Sequence, residues 1–116
     1  MTERVISDRD KALLIDVWTT RVREAATWAD MASLPDRVIR EVVEDAPGVA
    51  PARAIDGWAP VPIAARWRPR VLQHEARRDL MVRAVAAIGR AETWEATARS
   101  LIRVVIAVGR AFGGIA

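Results

Sequence analysis

The 116-residue chain has no cysteine, one histidine, one lysine and one phenylalanine. Without cysteine it can form no disulfide, thiolate nucleophile or cysteine-ligated metal centre, and the redox state of its compartment leaves no mark on it. A single histidine, His74, cannot build the usual zinc ligand set. Beside Glu75, Arg78 and Asp79 it reads as a solvated or ion-paired side chain. The HExxH, GxSxG and GxxxxGK(S/T) patterns are absent. Gly109, Gly113 and Gly114 follow a helical segment instead of opening one, so they read as a terminator and not as a phosphate cradle. Apolar runs such as Val104 to Gly109, between Arg103 and Arg110, fall far short of the roughly 18 to 20 residues that span a bilayer. The stretch Met1 to Asp8 lacks the basic start and apolar core of a secretory leader, and a cytoplasmic location is expected.

Carboxylate pairs at helical spacing, Glu41 with Glu44 or Asp45 and Glu92 with Glu95, are the remaining candidates for acid–base or metal chemistry. They lie near helix ends beside arginines, where solvated surface pairs are the ordinary outcome. The expectation is a protein without catalytic residues, cofactor or metal, and therefore not an enzyme.

The composition, 52% apolar and 28% charged, is that of a folded globular chain. One domain, residues 1–116, is expected, and a chain this short buries only about two-thirds of its unfolded surface. The net charge of +3 hides a polarity: residues 1–45 hold seven basic and ten acidic side chains, whereas residues 46–116 hold eleven basic and five acidic ones. A basic C-terminal half can face phosphate, an acidic partner or the acidic half of another copy. Lys11 apart, every cation is arginine, which GC-rich codon usage or selection for bidentate contacts would each produce.

The hydrophobic periodicity predicts an all-α fold, a small bundle of about four helices with an ordered connector rich in proline and tryptophan over about 46–67. Leu14, Trp18, Val22, Ala25, Ala29 and Ala32 form one stripe over about Asp8 to Ala32, capped by Ser7 or Asp8. Arg21 falls on that stripe and must snorkel, pair with a carboxylate or reach a ligand. A short helix over about Pro35 to Asp45 completes an N-terminal pair spanning 8–45. A C-terminal hairpin over 68–112 follows, its first helix from Arg68 to Ile88 and its second from Ala91 to Phe112. The second helix carries Trp94, Ala98, Leu101, Val105, Val108 and Phe112 on one face and Arg99, Arg103 and Arg110 on the other. No internal repeat is evident.

Two binding functions fit this pattern. The nearly all-round apolar segment 80–88 and the apolar face of the last helix exceed what one small core covers, which points to protein-mediated assembly, with a protein partner or with itself as a homo-oligomer. Trp58, Trp67, Arg99, Arg103 and Arg110 are its candidate contacts. The alternative is DNA binding by a helix-turn-helix over 25–44. There Ala29 takes the small-residue position and Trp28, Ala32, Leu34, Ile39 and Val42 the apolar ones, while Arg37 and Arg40 would contact DNA. Ser33 replaces the usual turn glycine, and Asp36, Glu41 and Glu44 would face phosphate. Insertion of the last helix into an anionic membrane surface through Trp94, Leu101, Val105 and Phe112 is the least favoured reading.

Overall fold

The computed structural model describes residues 4–45 and 67–115. The chain is all-α, with α1 (Asp8–Glu24), α2 (Trp28–Met31), α3 (Leu34–Asp45), α4 (His74–Arg90) and α5 (Trp94–Ala111). Among the described residues, β-pairing is limited to three isolated bridges. The expected connector lies outside the described residues except for its last residue, Trp67. The core is built from Leu14, Trp18 and Val22 of α1, Val38, Ile39 and Val42 of α3, Leu80, Ala84 and Ile88 of α4, and Trp94, Ala98, Leu101, Val105 and Val108 of α5. These are the helical stripes read from the sequence.

Three boundaries differ from expectation. The first stripe is broken after Glu24, where Ala25 to Thr27 are extended and a new helix starts at Trp28. The Asp30 carboxylate accepts hydrogen bonds from the Ala26 and Thr27 backbone N–H groups, at 2.9 and 3.0 Å, and satisfies donors that the break releases. The hairpin's first helix begins at His74 and not at Arg68, because 68–73 is drawn into backbone pairing: Arg68 N donates to Gly114 O and Leu72 N to Ala26 O. At the other end, α5 stops at Ala111 and Gly113 turns the chain through a positive φ of 73°. The following residues run back against Trp67 and Trp28, whose rings stack at 6.3 Å.

The fourth difference is an internal repeat, which the sequence reading missed. Val5 pairs with Thr93, and Thr27 pairs with Val71. Val5 and Val71, like Thr27 and Thr93, stand 66 positions apart, so the two bridges are the same bridge made twice with the partners exchanged. Ile6 N donates to Glu92 O, and its counterpart Leu72 N to Ala26 O, both at 3.1 Å. Trp94 N donates to Arg4 O at 2.8 Å, and Trp28 N to Arg70 O at 2.9 Å. The helices obey the same offset: α1 and α4 each have 17 residues, and each is followed by an Ala-x-Thr turn and a buried tryptophan. Reciprocity of this kind is the signature of a two-fold interface. The chain is thus a pair of related helical hairpins, α1–α2–α3 and α4–α5, packed about a pseudo-two-fold axis with α1 against α4. On α3 and α5 the offset becomes 63, as in Val38 to Leu101 and Val42 to Val105, because the α2–α3 turn adds residues.

Side chains at the axis follow the same exchange. The guanidinium of Arg77 on α4 donates to the Val22, Arg23 and Ala25 carbonyls that end α1. Its counterpart Lys11 on α1 donates to the Gly89 carbonyl at the end of α4. Each hairpin therefore caps the other's first helix with a cation, where the carbonyls are unpaired and the helix dipole is negative.

Candidate functional site

Each hairpin has a groove between its two helices, and the duplication permits a comparison within one molecule. The α1–α3 groove is small, about 90 Å³, and is lined by Asp16, Val17, Thr20, Arg21 and Glu41. Arg21 occupies it, donating through Nε at 3.2 Å and Nη2 at 2.6 Å to the two Glu41 oxygens and through Nη1 at 2.8 Å to Glu24. Of the three fates open to Arg21 on its apolar stripe, the observed one is pairing. The Arg21 guanidinium holds the Glu41 carboxyl below the usual carboxylate range, against an opposing desolvation effect.

The α4–α5 groove is open, about 410 Å³, and is lined by Val82, Arg83, Ala86, Arg90, Arg103, Val104 and Ala107. Offset by 66, its α4 residues Val82, Arg83, Ala86 and Arg90 replace Asp16, Val17, Thr20 and Glu24. The position of Arg21 is taken by buried Ala87, so no side chain crosses and fills the groove. Three arginines line it without a carboxylate, and Arg83, Arg90 and Arg103 make no ion pair among the described residues. The floor is apolar, and Val82, 61% exposed, is among the most exposed large hydrophobics of the described residues.

Of the five contact residues expected for assembly, Arg99, Arg103 and Arg110 are exposed on α5, and Arg103 lines the open groove. Trp58 lies outside the described residues. Trp67 is only 8% exposed and stacks on Trp28, which places it in the packing of the C-terminal turn. Most of the apolar face of α5 is consumed internally: Trp94, Leu101 and Val105 are buried, so that face cannot also insert into a membrane surface in this conformation. Among the described residues no helix is long and apolar enough to cross a membrane. The residues the sequence reading missed are Arg83 and Arg90, whose only signal was their place on the segment 80–88 and its C-terminal flank.

The segment expected to form a helix-turn-helix contains two helices and a turn at Ala32-Ser33, but the first, α2, has four residues. On α3, Arg37 is exposed and Arg40 is held by Asp36 at 2.7 Å. Among the described residues no group of three or more histidine, aspartate or glutamate side chains gathers as a metal site would require. His74 is exposed at the first turn of α4. Of the carboxylates expected in pairs, Glu41 is held by Arg21, and Glu95 accepts from the Arg4 backbone N–H at 3.0 Å. Comparisons of the chain with protein-family models, curated proteins and solved structures yield no match.

Proposed function

We propose that this protein is a non-enzymatic, self-associating assembly module whose docking surface is the α4–α5 groove. The observation that carries the reading is the convergence of Arg83, Arg90 and Arg103 from two helices on an apolar floor with no carboxylate among the lining residues. Exposed valine and alanine between arginines suit a protein surface that is itself part apolar and part acidic. A purely phosphate-reading face would have no use for that floor. The α5 arginines Arg99 and Arg110 extend the basic field along the helix.

Light scattering during size exclusion tests this. At low salt the mass should exceed the 12.8 kDa of one chain and rise with concentration. In about 1 M salt, where charges are screened beyond about 3 Å, it should fall back toward that value. A mass of one chain at every salt and concentration would refute self-association.

DNA binding through residues 25–44 is the second reading, favoured by the exposure of Arg37 on α3 after a tight inter-helix turn. It requires that duplex DNA be taken up at low salt and that charge reversal at Arg37 and Arg40 alone abolish uptake.

A further inference from the structure

The two pseudo-equivalent grooves carry opposite charge. In the first hairpin three carboxylates, Asp16, Glu24 and Glu41, surround the single guanidinium of Arg21. In the second, three guanidinium groups stand with no carboxylate among the lining residues. Like grooves therefore repel, and unlike grooves attract. Shape is also unequal, since the acidic groove is filled by its own salt bridges and the basic one is open.

We infer that the α4–α5 groove of one copy receives the α1–α3 face of a second copy, so that the chain associates head to tail. This rests on the self-association reading and identifies the occupant. The apolar contact is available on the incoming face. Leu13, 39% exposed, lies one turn before Asp16, and the spacing Leu13, Asp16, Thr20, Glu24 sets these side chains along one edge of α1. Leu13 then covers the Val82 and Ala86 side of the groove, while Asp16 and Glu24 meet Arg83, Arg90 and Arg103. Leu13 and Asp16 also line a neighbouring depression that holds Arg9 and Arg23, so the attraction is carried by the side of α1 on which Asp16 stands with Glu24 and Glu41. Because the two faces belong to different hairpins, a docked pair leaves the acidic face of one copy and the basic face of the other unused. The contact is heterologous and propagates as an open series instead of closing as a two-fold dimer.

Two variants, each blocked at one face, test the inference with the full chain. R83Q/R103Q neutralises the basic face, and D16N/E24Q neutralises the acidic one. All four positions are exposed, and unchanged far-UV circular dichroism confirms the fold of each. Where R83Q/R103Q perturbs the fold, R83A/R103A takes its place. Each blocked variant alone should remain at 12.8 kDa, with association at least about tenfold weaker than in the native chain. Mixed in equal amounts, they should form a one-to-one complex that grows no further, because each supplies the face the other retains. Native association with no complex in the mixture overturns the assignment of faces and leaves self-association standing. A native chain that never associates overturns both.

Discussion

Loss of the Arg77 guanidinium should be among the costliest single changes outside the apolar core. One terminal nitrogen, Nη1, serves the Val22, Arg23 and Ala25 carbonyls at the end of α1. It carries two hydrogens, so two full-strength bonds are the most it supplies, and the third is shared. Hydrogen bonds from a charged donor are worth about 1.5–3 kcal/mol each when buried. Arg77 is only partly buried and Arg23 is exposed, so water replaces part of the loss. Arg77→Met, which keeps the aliphatic stem, should then cost about 2–3 kcal/mol, or roughly 10 °C in Tm for a domain of this size. Lys11→Met removes one 3.1 Å bond to the Gly89 carbonyl in an exposed setting, and should cost under about 1 kcal/mol. Arg77→Lys keeps the charge near the helix end but cannot span the same carbonyls, and should lose about half as much as Arg77→Met. Urea unfolding followed by circular dichroism, with the midpoint shifting at constant slope, measures all three. Equal costs for Arg77→Met and Lys11→Met, or less than about 0.5 kcal/mol for the former, would refute the capping argument.

Gly114→Ala would place a Cβ 2.2 Å from Cδ2 and 2.5 Å from Cγ of the Trp28 ring, which is fully buried and stacked on Trp67. A loss of about 2–3 kcal/mol with a changed near-UV spectrum is expected. Ser7 caps α1 by accepting from Asp10 N, and Ser7→Ala should cost about 1 kcal/mol. Its counterpart Gln73 instead accepts from Trp28 Nε1 at 2.8 Å, while the Trp94 Nε1 group is buried and without a partner. Ser7→Gln should therefore cost less than Ser7→Ala and slow hydrogen exchange at the Trp94 indole; exchange as fast as in the native chain counts against the equivalence. The Asp30 carboxyl is lowered by the Thr27 and Ala26 backbone N–H groups, and the Glu41 carboxyl by Arg21. Both folded-state values lie below the unfolded ones, so the stability they add is present above the unfolded carboxyl range and is lost as pH falls through the folded values. The urea midpoint should decline below about pH 4, and D30N/E41Q should flatten that decline.

What was legible in the sequence was whatever depends on neighbours three and four residues away. Leu14, Trp18 and Val22, and Trp94, Ala98, Leu101, Val105 and Val108, are buried as their spacing requires. The break at Ala25 to Thr27 was not legible, because alanines continue a helical stripe without interruption. What stops the helix there is the pairing of Thr27 with Val71, a partner far along the chain. Residues 68–73 read as a helix start because proline is tolerated in a first turn, and only the distant Gly114 and Ala26 carbonyls draw them straight. The duplication left one local signal: Ala25-Ala26-Thr27-Trp28 recurs as Ala91-Glu92-Thr93-Trp94 at equal distance from Val5 and Val71. The basic groove was half legible, since Arg103 and the arginine edge of α5 follow from periodicity. Its other wall, Arg83 and Arg90, depends on how α4 packs against α5.

Carrying both hairpins on one chain changes how the interface responds to dilution. Two separate copies of a hairpin would hold together only above their dissociation constant, and their stability would fall with concentration. Joined, they meet at an effective concentration in the range of about a millimolar, fixed by the connecting chain and not by the cell's supply. They are also released from having to be identical. A homodimer repeats every residue on both sides of its axis, whereas here the equivalent buried positions hold Trp18 on α1 and Ala84 on α4, and the Trp18 indole donates to the Leu80 carbonyl of the other hairpin. The same licence let one groove close on a salt bridge while its twin stayed open.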